Sequence, residues 1–307
     1  MIYTLTLNPA IDLVMQLEAL KTGCTNRASG AFCLAGGKGV NVSQVLRELG
    51  RDSVLTGFAA GFTGEELVRQ LREKGCNCDF VMLEKGFTRI NVKLHAGEET
   101  EINSQGDEIT DDEKSRLLRK LSALGNGDIL VLAGSIPKGL GKGIYSEIMA
   151  GLSERGVLFI VDTEGQALLD TLEHRPFLIK PNNHELGAIF GCTVDTAEKS
   201  AEYGFKLQEM GARNVLVSMA GAGAVLCAEN GEVYFQPAAK GTVVNSVGAG
   251  DSMVAGFLAG WLDSGDYQTA LHTGTAAGAA TAFSQELARA EDIERIMSRL
   301  EAAVRIR

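Results

Sequence analysis

The segment Val247-Gly248-Ala249-Gly250-Asp251-Ser252 follows a β-branched run and directly precedes a long apolar helical pattern. Two glycines let backbone N–H groups crowd around an anion at a helix N-terminus. A carboxylate in that first turn can meet whatever attacks the anion. Such a cradle suits phosphoryl transfer, where catalysis is mostly charge stabilisation and positioning, with one base to orient the nucleophile. Ordinary capping accounts for the same residues, since an acid there complements the helix dipole. A second glycine-rich segment, Ala35-Gly36-Gly37-Lys38-Gly39-Val40-Asn41-Val42, permits close backbone approach to a ligand. Its Asn41 offers a donor and an acceptor to hydroxyls, and its Lys38 a cation to a phosphate. No GxxxxGK(S/T) loop is present, because Lys38 and Lys142 are each followed by glycine, and no GxGxxG opens a first helix.

Other candidates carry two readings each. Asp12 sits just past the first strand pattern, where doubly wound folds place ligands; it can accept two sugar hydroxyls, or serve as a turn acid after Asn8-Pro9. Arg27 and Arg89 fall in two inserted hairpin patterns, where arginines grip a phosphate bidentately or simply face solvent. Ser135, in Gly134-Ser135-Ile136-Pro137-Lys138, follows another strand end. Lys180-Pro181-Asn182-Asn183-His184-Glu185-Leu186 gives Asn182 and Glu185 capping-box spacing. Alternatively, Glu185 serves Mg²⁺ through water, since that ion prefers oxygen ligands and keeps much of its hydration. Ser218-Met219-Ala220-Gly221-Ala222-Gly223-Ala224 reads as a glycine turn between two strands, or as backbone donors near nucleotide phosphates.

Alternating elements must position these residues. Strand patterns at residues 2–7, 53–58, 129–133, 157–161 and 177–180 alternate with helical ones at 40–49, 63–74, 110–124 and 144–153. Capping boxes are expected at Thr63/Glu66 and Thr110/Glu113. The alternation predicts a mainly parallel, doubly wound α/β sheet with helices on both faces. Paired strand-like runs at about 11–34 and 87–103 interrupt it, and a small separate sheet is expected from them. Gly274-Thr275-Ala276-Ala277-Gly278-Ala279-Ala280 would let a helix approach a neighbouring helix or a flat ligand closely.

Composition narrows the function classes. With 29 basic and 39 acidic residues in 307, the net charge of −10 argues against a nucleic-acid or anionic-membrane surface, though not against a small anionic substrate. The six cysteines and four histidines are scattered without metal-ligand spacing, which reads as reduced thiols in a cytoplasmic protein. Met1 to Leu7 reads as a first strand rather than a signal peptide, and no run approaches the ~20 apolar residues of a membrane span.

Taken in order, these segments resemble the PfkB-type, ribokinase-like carbohydrate kinases over nearly the whole chain. The most specific are Gly36 to Asn41 and Val247 to Ser252, supported by Lys180 to Leu186. The opening residues 3–12, Thr88 to Lys93, Glu99 to Asn103 and Ala133 to Pro137 look like the family's sugar-phosphate branch. The resemblance implies one kinase domain over residues 1–307 with the small sheet as its lid, often also a dimer clasp. It implies Asp251 as catalytic base and Gly248, Ala249 and Gly250 as anion hole. Asp12, Gly37, Gly39 and Asn41 would bind sugar hydroxyls, and Lys38, Arg89, Arg27 and Ser135 the substrate phosphate. Ser218, Ala220, Gly221, Gly223 and Asn182, with Gly248 and Gly250, would meet ATP, and Glu185 would serve Mg²⁺ through water. The implied reaction is ATP-dependent phosphorylation of a ketohexose phosphate, first fructose 1-phosphate to fructose 1,6-bisphosphate. Tagatose 6-phosphate and fructose 6-phosphate are alternative acceptors, and a non-catalytic sugar-phosphate sensor is an alternative of another class. Two departures stand out: Ala220 replaces a common glycine, and Ser104-Gln105-Gly106 replaces a Pro/Gly-rich stretch.

Overall fold

The apolar run Ile2–Thr6 is strand β1, with a parallel neighbour on each side. In this computed structural model, which describes residues 1–307 apart from the side chains of residues 98 and 99, the chain then turns into a hairpin. That hairpin, β2 (Ala10–Gln16) and β3 (Gly30–Gly36), leads to α1 (Lys38–Glu48), β4 (Ser53–Ala60), α2 (Gly61–Glu73), β5 (Asn77–Cys78) and β6 (Val81–Leu83). A second hairpin, β7 (Arg89–Ala96) and β8 (Glu98–Asn103), precedes α3 (Asp111–Leu121), β9 (Ile129–Ala133), α4 (Ile144–Leu152) and β10 (Leu158–Asp162). Next come α5 (Gly165–Leu169), β11 (Leu178–Ile179), α6 (Asn183–Phe190), α7 (Ala197–Glu209), β12 (Asn214–Ser218), β13 (Ala224–Cys227) and β14 (Val233–Gln236). The chain closes with α8 (Ala249–Ser264), α9 (Tyr267–Ala282), α10 (Ala290–Met297) and β15 (Val304–Arg305).

The main sheet runs β15-β14-β13-β12-β11-β10-β9-β1-β4-β5, with β6 paired to the C-terminal end of β4. Neighbours from β12 to β5 are parallel, and β13 to β15 extend that edge antiparallel. Every residue of β9 is buried, the signature of a strand covered on both faces. Helices α1, α2 and α8 to α10 cover one face around Val42, Leu67, Phe257 and Leu271; α3 to α7 cover the other around Leu117, Tyr145, Leu186 and Leu207. The doubly wound α/β architecture expected from the alternation is present.

The two hairpins form a separate four-stranded sheet, order β3-β2-β7-β8, joined through a parallel β2–β7 pair. One face, carrying Asp12, Val14 and Lys93, lines a cleft completed by Val247 and Leu287 from the main body. Cross-strand register puts Leu13, Cys33, Val92 and Ile102 on the opposite, apolar face.

Several local expectations are corrected. Thr63 does not cap α2, which starts two residues earlier with Ala60 as its N-cap; Thr63 Oγ1 instead donates to Thr88 O at 2.7 Å, tying α2 to the start of β7. Arg27 lies in the exposed β2–β3 connection, because β3 starts only at Gly30. Thr110 and Glu113 do form the reciprocal capping box of α3. Gly274 to Ala280 lies in α9 and serves helix packing: a Cβ on Gly274 would stand 2.8 Å from Met253 O of α8. Helix α7 was not anticipated, since the face it buries is made of Ser200, Ala201 and Gly204 with Leu207 as its one large apolar residue.

Candidate active site

Four chain segments converge at one corner of the main sheet. Lys38, the first residue of α1, places Nζ 3.1 Å from Asp162 Oδ1 at the end of β10. Lys180, directly after β11, places Nζ 3.4 Å from the same oxygen. Asp162 is 1% exposed, and its Oδ2 has no partner among the described residues. Burial alone pushes the Asp162 pKa up, but the Lys180 and Lys38 ammoniums more than offset this and hold it below the usual carboxylate range. Burial works the other way on Lys38, and Asp162, aided by Asp251 and Glu185, still raises its pKa. Asp162 and Lys38 are therefore both held in their charged forms.

Helix α8 starts here. Its N-cap Gly248 has φ +80°, a left-handed conformation, and a Cβ there would strike Leu287 at 2.6 Å. The first N–H groups of a helix lack intrahelical acceptors. Lys180 stands beside them, with Nζ 3.1 Å from where a Cβ on Gly250 would lie. Asp251, in the first turn, is buried and its Oδ2 accepts from Asn41 Nδ2 at 2.8 Å. Burial first, and Asp162 second, push its pKa up to about 6 against Lys38, the Asn41 hydrogen bond and Lys180. Such a carboxyl is ionised at neutral pH, yet takes a proton more readily than an ordinary aspartate.

The small sheet contributes the next groups. Asp12 Oδ1 accepts from Asn91 Nδ2 at 2.9 Å, and its Oδ2 lies 3.3 Å from Lys93 Nζ. Its carboxylate packs on Gly36, where a Cβ would be only 2.7 Å away. Gly37 is the N-cap of α1, and Gly39 packs directly on Thr6 of β1. At the base of β7, Arg89 Nε donates to Asn8 O at 3.2 Å and Nη1 to Ser104 O at 3.0 Å, leaving Nη2 for a ligand. Asn8 Nδ2 donates in turn to Ser135 Oγ at 3.2 Å and to Gln105 O at 3.1 Å. Arg89 and Ser135 thus meet through Asn8, with the divergent Ser104-Gln105 stretch supporting both through main-chain carbonyls. Arg27 does not join them within this chain: it lies beyond the Gln16/Gly30 end of the hairpin, whereas Arg89 pairs with Ala10 at the other end.

Farther along the strand ends, Asn182 and Ser218 form an isolated parallel bridge. Ala220 has φ +47°, in the region glycine adopts freely, which explains why glycine is common there in the resembling family. Gly223 closes that turn against Gln236, and Gly221 faces open space. The capping reading of Asn182 and Glu185 is realised in full: Asn182 Oδ1 accepts from Glu185 N, and Glu185 Oε2 from Asn182 N, both at 2.8 Å. One Glu185 oxygen is therefore committed to α6.

The cleft between small sheet and main body encloses about 160 Å³ and is lined by Asp12, Asn41 and Lys93, none of which lines the larger hollows of about 280 Å³ beside Arg47 and about 490 Å³ beside Phe205. Among the described residues, no cluster of three or more His, Cys, Asp or Glu is placed to hold a metal alone, and no helix is long and apolar enough to cross a membrane. Sequence reasoning missed Asp162, and quoted Lys180, Asn8, Asn91 and Lys93 without giving them a role of their own. The available signal for Asp162 was an acid ending an otherwise apolar strand, at the edge where α/β sheets bind ligands.

The pfkB family carbohydrate kinase profile matches residues 5–293. The chain belongs to this family. It is 46% identical over 297 residues to a 1-phosphofructokinase of Bacillus subtilis (strain 168), covering 97% of each protein. Against a D-tagatose-1-phosphate kinase of Bacillus licheniformis, identity is 34% over 302 residues, 98% of this chain and 99% of the relative. Among solved structures, phosphofructokinase-2 from Escherichia coli in complex with substrates and products matches with TM-score 0.92 and 27% identity, covering 97% of this chain and 99% of that one. This pfkB protein is a ribokinase-like phosphotransferase acting on a sugar hydroxyl.

Lys180 lies at an anion-ready helix end, so its loss should act on turnover more than on sugar binding. Lys180→Met is expected to lower kcat about 10²–10³-fold, with KM for the sugar phosphate changed less than about threefold. Steady-state kinetics on the folded variant checks this, and an unchanged kcat contradicts it.

Proposed function

We propose that this pfkB kinase transfers the γ-phosphoryl group of ATP to fructose 1-phosphate, giving fructose 1,6-bisphosphate and ADP. The observation that carries this reading is Asp251, buried in the first turn of α8, bonded to Asn41, with Lys180 beside Gly250. Gly248, Ala249 and Gly250 receive the transferring group on their N–H donors, helped by the α8 dipole and the Lys180 charge. Asp251 accepts the proton of the sugar's primary hydroxyl as the new O–P bond forms and the bond to the β-phosphate oxygen breaks. Asp12, Gly37, Gly39 and Asn41 hold the sugar. Arg89 and Ser135 hold its existing phosphate, with Lys38 between that phosphate and the acceptor site. Ser218, Ala220, Gly221, Gly223 and Asn182 line the nucleotide.

A Mg²⁺ ion fits this donor set. Asp162 Oδ2 is a buried oxygen without a partner among the described residues, and Glu185 retains an oxygen beyond its cap. Both would act through water, as suits an ion that keeps most of its hydration. The ion would neutralise charge on the nucleotide phosphates.

The same reading makes residues 1–307 one domain acting in the cytoplasm, with the small sheet as a lid that excludes water on closing. It also makes the lid a homodimer clasp: Leu13, Cys33, Val92 and Ile102 present an apolar face, with Ile102 59% exposed. Light scattering should then report twice 32.6 kDa for the native protein and a shift towards the single-chain mass for Ile102→Asp. A native protein at the single-chain mass refutes the clasp.

The similarity to a D-tagatose-1-phosphate kinase favours a second acceptor, since tagatose 1-phosphate differs from fructose 1-phosphate only at C4. Steady-state kcat/KM on fructose 1-phosphate, tagatose 1-phosphate, tagatose 6-phosphate and fructose 6-phosphate decides between them. Fructose 1-phosphate is expected to lead; a clear preference for another acceptor overturns the choice. Asp251→Asn should keep sugar-phosphate binding and lose about 10²–10⁴-fold in kcat. A native protein that binds the sugar phosphate without turning it over would instead be a sensor.

A further inference from the structure

Asn91 lies directly across from Asp12 in the parallel β2–β7 pair, on the cleft-facing side of the small sheet. Only 8% of it is exposed. Its amide orientation follows from chemistry: the Asp12 carboxylate only accepts, so the group 2.9 Å from Asp12 Oδ1 is Asn91 Nδ2, the donor. Its other end, Oδ1, is a buried acceptor with no partner among the described residues. Leaving such an acceptor unpaired is costly, so this position asks for a donor.

The surroundings restrict which donor. Lys93, two residues on along the same face, directs Nζ to Asp12 Oδ2 at 3.3 Å and Glu101 Oε1 at 3.5 Å. Both Asp12 oxygens are thus oriented from β7, one by an amide and one by an ammonium. Asp12 is pinned from the third side by the Gly36 backbone. Two acceptors, Asp12 and Asn91 Oδ1, consequently stand side by side on a rigid strand pair. Vicinal hydroxyls on a sugar ring present donors with matching neighbour spacing, and a site built to bond a hydroxyl discriminates strongly against a ligand lacking it.

We propose that Asn91 reads the sugar: its Oδ1 accepts a hydrogen bond from the secondary hydroxyl next to the one held by Asp12, while its Nδ2 keeps Asp12 aimed. This rests on the ketohexose-phosphate reading given above. The competing role is purely structural, with Asn91 acting only through Asp12.

The test compares native enzyme and Asn91→Leu on fructose 1-phosphate and its 3-deoxy and 4-deoxy analogues. On fructose 1-phosphate, Asn91→Leu should lose about ten- to a hundredfold in kcat/KM, as expected for one hydrogen bond to a buried acceptor. That loss should shrink by about threefold or more on one deoxy analogue, the one missing the hydroxyl Asn91 reads, where only the misaiming of Asp12 remains, and persist in full on the other. Asn91→Ser repeats the comparison should the leucine variant fold poorly. An equal loss on all three substrates, or no loss on fructose 1-phosphate, overturns the assignment. Absence of turnover by the native enzyme on every ketohexose phosphate overturns the proposed function itself, which is a separate and recognisable result.

Discussion

The site depends on one buried carboxylate held between two lysines. Removing Asp162 and Lys180 from water costs several kcal/mol per ion, and their attraction, with that of the partly exposed Lys38, repays this only while the contacts at 3.1 and 3.4 Å hold. The arrangement fixes geometry at a distance. Lys38 belongs to the start of α1, Asp162 to the end of β10, and Lys180 to the turn after β11, so three elements are locked at the edge where α8 begins. It also fixes chemistry. Burial first and Asp162 second raise the proton affinity of Asp251 while the two ammoniums lower it, leaving a carboxyl whose pKa lies at about 6. Base and phosphate cradle are therefore parts of one electrostatic unit rather than independent residues.

The small sheet answers a different constraint. A sugar carries little charge, so its recognition needs aimed hydrogen bonds rather than a field. Register supplies the aim: Asp12 and Asn91 are paired residues, Lys93 is two positions further, and Arg89 sits at the base of the same strand. The polar face follows from the period-2 alternation of β2 and β7, which sends Leu13 and Val92 to the other side. One pattern thus makes a sugar-facing surface and an apolar back.

Much of this was legible in the sequence because it is local. Glycine, acid and helix pattern adjoin one another in Gly248 to Asp251, and Thr110 to Glu113 needs only three residues to form its cap. What was illegible is long-range. Lys38 and Asp162 are 124 residues apart, and no local pattern announces their meeting. Thr63 had a capping spacing, but its hydroxyl instead donates to the carbonyl of Thr88, 25 residues away and just before β7. Arg27 falls within a strand-like run of the sequence, whereas the hairpin pairs only up to Gln16 and Gly30. Asn91 looked like any strand asparagine until its partner across the β2–β7 pair was known.

The pH dependence of kcat/KM for fructose 1-phosphate tests the coupled site most directly, because it reports the free enzyme's base. Asp251 must be ionised to accept a proton, and its pKa is raised to about 6, above the ordinary aspartate value. Activity should therefore be full above neutrality and fall with unit slope as pH drops through about 6. A profile that stays flat down to the ordinary aspartate range, about pH 4, would contradict Asp251 as a base whose pKa burial and the neighbouring Asp162 hold up.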